Sequence, residues 1–186
     1  FVEAALELER EGAGLIATSC GFLAAFQPAL ADAVRVPVVS SALLWVPLLL
    51  ACLGPSSAVG VLTFDARRLG ARHFQGVGVA GFEELVARGR LVVRGMEGTA
   101  FHRTIAEDLP HLDTELARAE HEQAATALLR QQPNVAAFVL ECTNMPPYRE
   151  AIALATGRPV FDILQLIRAV REGLPLPPSP APSRPT

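Results

Sequence analysis

Two cysteines carry most of the chemistry that this sequence offers. Cys20 follows the run Leu15-Ile16-Ala17-Thr18-Ser19, and Cys142 follows Ala137-Phe138-Val139-Leu140-Glu141. In both places an aliphatic segment of strand character leads to a thiol and then to a stretch of helical character. A residue between the end of a parallel strand and the next helix stands on the edge where α/β sheets bind ligands. A thiol there also lies near the positive end of a helix, which favours thiolate. If two such thiols flank one cleft, one can take a proton from one face of a carbon while the other returns a proton to the opposite face. A lone cysteine is more often an inert core residue. The paired placement weighs against that here.

The pairing extends beyond the thiols. Cys20 and Cys142 are 122 positions apart, and Pro37 and Pro159 are separated by the same 122. Each window reads as strand, cysteine, helix, strand, helix. The second strands are Val36-Pro37-Val38-Val39 and Arg158-Pro159-Val160-Phe161, with helices opening at Ser41 and Asp162. Two βαβ units related by an internal repeat predict a pseudo-twofold molecule.

The wider pattern alternates short aliphatic runs with amphipathic stretches, as an α/β fold requires. Strands are expected at Gly14 to Thr18, Val36 to Val39, Ala58 to Thr63, Arg90 to Arg94, Val135 to Leu140 and Pro159 to Phe161. Their near-continuous aliphatic character indicates parallel strands covered on both faces. Helices are expected at Phe1 to Arg10, Phe22 to Ala33, Leu43 to Cys52, Ala66 to His73, Thr114 to Gln131, Pro147 to Ala155 and Ile163 to Glu172. The break Gly54-Pro55-Ser56-Ser57 divides the chain. Residues 1–54 then form a partial first lobe carrying Cys20, and 55–162 a second lobe carrying Cys142. A C-terminal helix at 163–173 and a flexible Pro/Ser-rich tail at 174–186 follow. The chain opens at Phe1 inside a helical pattern, which predicts further sequence upstream and an incomplete first lobe.

With these residues in place, the chain resembles the aspartate/glutamate racemase superfamily, which includes glutamate, aspartate and hydantoin racemases. The resemblance rests on Thr18-Ser19-Cys20-Gly21-Phe22 and on the more specific Leu140-Glu141-Cys142-Thr143-Asn144 with Pro146, and covers roughly Phe1 to Arg171. It implies two similar Rossmann-like parallel-sheet lobes with the active site between them. It also implies a cofactor-independent, two-base mechanism on a small carboxylate, with Cys20 and Cys142 as the acid/base residues. The residues directly after each cysteine would bind substrate: Gly21 and Phe22 in the first half, Thr143 and Asn144 in the second. Their backbone N–H groups, opening the following helices, would meet a carboxylate and its developing enolate charge. Ser40, Ser41 and Thr63 end strands on the same edge and are further binding candidates, although helix capping is the plainer reading of the two serines.

The sequence also departs from the better-known racemases. Gly21-Phe22 stands where glutamate racemases carry Asn-Thr, and Asn144 where they carry His; the aromatic bulk of Phe22 points to a less polar substrate. Glu141 would raise the pKa of Cys142 if their side chains met, but adjacent strand residues point to opposite faces. A racemase or epimerase of an amino acid or hydantoin is the leading expectation. A maleate isomerase or arylmalonate decarboxylase on the same fold is an alternative, as is a truncated, inactive or ligand-binding member. The decarboxylases need one cysteine, so the presence of two favours racemisation.

Composition narrows the field further. The 186 residues are 51% hydrophobic and 19% charged, enough apolar material for a real core. All 16 basic residues are arginines, so no lysine is present for a Schiff base or a phosphate loop. A net charge of -3, with no arginine run interleaved with aromatics, argues against nucleic acid. Val38 to Leu53 is too short and too interrupted to span a membrane. Three widely spaced cysteines and no signal peptide predict a reducing, cytoplasmic setting, with Cys52 in the core. A homo-oligomer stays open. Gly76-Val77-Gly78-Val79-Ala80-Gly81 fits G-x-G-x-x-G but follows a helical pattern, so no dinucleotide is expected. His73, His102, His111 and His121 lack metal-site spacing and read as surface or helix-end residues; no metal or other cofactor is expected. Glu97-Gly98-Thr99 reads as a turn.

Overall fold

The computed structural model describes residues 1–175. It is an α/β protein in which every strand pairing is parallel. The chain opens with α1 (Val2–Arg10), β1 (Ile16–Ala17), a 3-10 turn (Gly21–Phe26) and α2 (Gln27–Ala33). Next come β2 (Val38–Val39), a second 3-10 turn (Ala42–Leu44) and α3 (Trp45–Cys52). The larger part runs β3 (Ala58–Thr63), α4 (Ala71–Gly76), α5 (Phe82–Ala87), β4 (Leu91–Gly95), α6 (Ala100–Ala106), α7 (Thr114–Gln131) and β5 (Val135–Leu140). It ends with a 3-10 turn (Pro146–Tyr148), α8 (Arg149–Thr156), β6 (Val160–Phe161) and α9 (Ile163–Glu172). Most of the expected tail, from residue 176, lies outside the described residues.

β1 and β2 form a two-stranded sheet, and the other four strands a sheet of order β4-β3-β5-β6. All six residues of β3 are buried, as two covered faces demand. Alternation divides them. Val59 and Val61, with Ala137 and Val139 of β5, meet Leu43, Val46 and Leu49 from the first part of the chain. Ala58 and Leu62, with Phe138 and Leu140, meet Ala124, Ala125 and Leu128 of α7 and Ile152 of α8. The Cys20-bearing part is thereby fixed against one face of the larger sheet.

The repeat holds at the level of register. Ile16 pairs with Val38 and Ala17 with Val39; Phe138 pairs with Val160 and Val139 with Phe161, each residue displaced by the same 122 positions. The Ile16 N–H donates to Pro37 O, and the Phe138 N–H to Pro159 O.

Several local expectations need correction. Residues 66–70 are not helical and α4 starts only at Ala71, because Asp65 accepts from the Arg67 N–H and side chain and turns the chain there. The stretch after Cys20 begins as a 3-10 turn rather than an α-helix, and a turn separates Cys142 from the next one. His73 and His121 are buried, not superficial. Cys52, at the end of α3, is exposed rather than in the core. The short helices α5 and α6 were not foreseen. The glycine motif 76–81 does connect α4 to α5, without a preceding strand.

Candidate active site

β3 lies between β4 and β5, and the chain leaves β3 towards β4 but β5 towards β6. This reversal leaves a crevice beyond the carboxyl ends of β3 and β5, the preferred ligand position of open parallel sheets. Phe64 follows β3 into it and Cys142 follows β5. The turn after β1 brings Cys20 to the same place. Together they line a cleft of about 230 Å³ with Gly21, Phe22, Thr143 and Asn144.

Cys20 is exposed, on extended backbone. Its carbonyl accepts from the Leu23 N–H and from Thr18 Oγ1, which also lies 2.6 Å from Ser40 O. Thr18 thus ties the thiol loop to the end of β2. Gln27 reinforces this: its Nε2 donates to Val38 O, and its Oε1 accepts from the Ser40 N–H. Cys142 is partly buried. Burial pushes its thiol up to about 12; the Asn144 N–H and side chain oppose the shift, while Glu141 and Cys20 add to it. At Cys142 burial outweighs what a nearby helix end would contribute towards thiolate.

Glu141 also overturns an expectation. β5 ends at Leu140, so pleat alternation no longer governs residue 141, and its carboxyl turns towards the neighbouring strand. Thr63 Oγ1 donates to Glu141 Oε2 at 2.7 Å, while Oε1 is buried without a partner. Burial raises this carboxyl to about 7. Its charge does reach Cys142. Gly21 permits the packing, since a Cβ there would overlap both the carbonyl and the carboxyl of Glu141.

The other candidates divide. Thr143 Oγ1 donates to Ser19 O at 2.7 Å, bridging the cysteine segments and leaving no hydroxyl proton for a ligand. Ser40, Ser41 and Thr63 are fully buried behind the cleft rather than in its lining. Ser41 accepts from the Leu43 N–H as a cap, and Thr63 is engaged with Glu141. Four lining residues were not foreseen: Ser19, Phe64, Ile105 and Glu141. Phe64 was findable from its place directly beyond a parallel strand; Ile105 was not, because α6 itself was missed. Phe64 stacks on His102 with centroids 4.5 Å apart.

Beside this cleft, about 690 Å³ of open space shares Ile105, Thr143 and Asn144, and a depression of about 860 Å³ shares Phe22. Neither holds a thiol. Among the described residues, no three His, Cys, Asp or Glu side chains are grouped to hold a metal ion, and no helix is long and apolar enough to cross a membrane. Chemically, the cleft offers one exposed thiol, one thiol held protonated, a buried carboxyl and two aromatic walls.

Known proteins share this architecture. The chain is 28% identical over 165 residues to a dimethylsulfoniopropionate lyase of Durusdinium sp. clade D, covering 88% of this chain and 54% of that protein. Dimethylsulfoniopropionate lyase 7 of Emiliania huxleyi is 26% identical over 170 residues. The chain spans about half the length of the curated relatives it matches. Among solved structures, allantoin racemase from Klebsiella pneumoniae superposes with a TM-score of 0.55 at 15% identity, covering 92% of this chain and 63% of that one. Arylmalonate decarboxylase gives 0.54 at 18%, covering 95% and 77%. These structures share the fold. The sequence profile of Asp/Glu/Hydantoin racemase matches residues 1–169, and the chain belongs to that family.

Proposed function

We propose that this cleft removes the proton α to a carboxylate on a small molecule, without a cofactor, as a racemase or epimerase of amino-acid-like or hydantoin-like substrates. The observation that carries the reading is that two thiols, at equivalent positions of a register-matched repeat, line one cleft. Because Cys142 is held as a thiol, Cys20 acts first as the base. The Cys20 thiolate takes the α-proton, the C–H electron pair passes into the enolate, and Cys142 S–H protonates the opposite face. The N–H groups of Gly21, Phe22 and Asn144 are the candidate donors to the carboxylate. Thr143, with its hydroxyl engaged, orients the two loops, and Ser40, Ser41 and Thr63 support them from behind.

A second reading shares the first step. Phe22 and Phe64 wall the cleft and suit a sulfonium cation, which aromatic faces attract. The curated relatives are lyases of dimethylsulfoniopropionate, a carboxylate with such a cation on Cβ. After α-proton removal, the electron pair would form Cα=Cβ and the Cβ–S bond would break. Dimethyl sulfide and acrylate would leave, and the proton would pass from the thiol to solvent.

Proton NMR in D2O separates these outcomes on a panel of aspartate, glutamate, hydantoins and dimethylsulfoniopropionate. Loss of the α-hydrogen signal with inversion is expected, and Cys20→Ser and Cys142→Ser should each lower the rate by about 1,000-fold or more. Acrylate and dimethyl sulfide formation without inversion would select elimination. Folded protein that exchanges no α-hydrogen and releases no sulfide overturns both.

A further inference from the structure

Glu141 is an ionisable cleft residue whose placement the two-thiol scheme does not use. It directly precedes Cys142, yet its carboxyl is pressed against the backbone of Gly21, the residue after Cys20. It is 1% exposed. One oxygen accepts from Thr63 Oγ1, and the other has no partner among the described residues. A buried carboxylate oxygen without a donor is costly when the group is ionised and tolerable when it is neutral. Among the described residues, no opposite charge is found to compensate it. From β3 it meets the Thr63 hydroxyl and the Phe64 N–H; from the turn after β1, Gly21 and the nearby Cys20 thiol; from its own segment, the Cys142 thiol. Asp65, the next carboxyl along, is occupied by Arg67. The two thiols are therefore the titratable groups that share the cleft with it.

We propose that Glu141 is a positioning residue that sets the charge of the cleft: neutral, it lets an anionic substrate enter; ionised, it adds to the burial that keeps Cys142 protonated and repels the anion. The inference rests on the reading of Cys20 and Cys142 as the acid/base pair. Its physical basis is the low-dielectric position of the carboxyl, where a single charge acts on Cys142 and on a bound anion with little screening. Burial lifts the carboxyl to about 7, so the change of charge falls within the working pH of most proteins. Activity should therefore decline on the alkaline side of neutrality, although thiolate chemistry alone would improve there. Glu141 takes no proton from the substrate in this account; it acts through Cys142 and through the field in the cleft.

Glu141→Gln tests this, because the amide keeps the shape and can still accept from Thr63. The first arm needs no substrate: the rate of Cys142 alkylation by iodoacetamide is followed from pH 6 to 10 by mass spectrometry of the labelled peptide. Loss of the charge should raise that rate several-fold above pH 8, because the Glu141 charge adds to the burial that keeps this thiol protonated. The second arm follows α-proton exchange against pH on the substrate identified in the panel above. The variant should match the parent below pH 6 and lack its alkaline decline, with the gain in KM larger than that in kcat because an anion is no longer repelled. Unchanged alkylation and an unchanged pH profile in folded Glu141→Gln would reduce Glu141 to packing and overturn the proposal. A variant inactive at every pH with parental alkylation would overturn it too, by making the carboxyl a proton donor. If no panel member reacts, the alkylation arm still decides the electrostatic claim, and only the reading of the reaction fails.

Discussion

Around Cys20 and around Cys142 the backbone follows one plan: Ile16 opposite Val38, and Phe138 opposite Val160. The side chains on that plan differ. Ser19, Gly21 and Phe22 surround the first thiol where Glu141, Thr143 and Asn144 surround the second. Gln27 and Ser40 latch the first loop with neutral hydrogen bonds, whereas the equivalent Arg149 and Asp162 form an ion pair at 3.3 Å. The first thiol is exposed, and the second is partly buried and pushed up to about 12. Repetition of the backbone delivers two sulfurs to one cleft; divergence of the side chains gives them unlike surroundings.

The sharpest way to break this comparison is at the contact between the halves. Gly21→Ala places a methyl group on the carbonyl and carboxyl of Glu141, and backbone cannot yield as a flexible side chain can. We expect a loss of about 2–4 kcal/mol and disruption of the cleft. Thr143→Ala, at the equivalent position of the other copy, removes one hydrogen bond to Ser19 and should cost only about 1 kcal/mol. Urea denaturation of both variants measures the difference. Equal losses would mean that Glu141 does not bear on Gly21.

The pH dependence of stability sharpens the same point. The folded-state pKa of Glu141 is raised from 4.5 to about 7. Below 4.5 both folded and unfolded states hold the proton, and this group contributes no penalty. As pH rises from 4.5 to 7 the unfolded chain releases it first, so stability falls by on the order of 3 kcal/mol and is then level through neutrality. Thr63→Val removes the donor that favours ionisation. The fall should extend to higher pH and deepen by about 1 kcal/mol, measurable as the urea midpoint at pH 5 against pH 8. A flat profile in the parent protein would place Glu141 in contact with water.

How far the sequence disclosed these features depended on how local their causes are. The runs Ala58–Thr63 and Val135–Leu140 are apolar throughout because both sheet faces are covered, and their limits were legible to the residue. Thr114–Gln131 and Ile163–Glu172 were equally legible, since Asp113 and Asp162 cap them. The helices α5 and α6 were not: they are short, and α5 buries no residue of its own, so neither has a broad apolar stripe. In the site, the thiols and their neighbours could be read from motif and repeat. The state of Cys142 and the role of Gly21 could not, because both arise from contacts between segments about 120 residues apart.

The smallest expected effect concerns the two latches. Arg149→Gln gives the second copy the residue that the first carries at position 27. Arg149 is two-fifths exposed, so solvent screens its pairing with the buried Asp162. A glutamine at 149 can still donate to that carboxylate, and Asp162 keeps its cap on α9 through the Gln165 N–H. A loss below about 1 kcal/mol is therefore expected, shrinking further in 0.5 M salt as the parental ion pair is screened. Thermal denaturation at low and high salt would reveal it. A large, salt-independent loss would show that the second copy needs a cation where the first needs only an amide, and that the two latches differ in function as well as in charge.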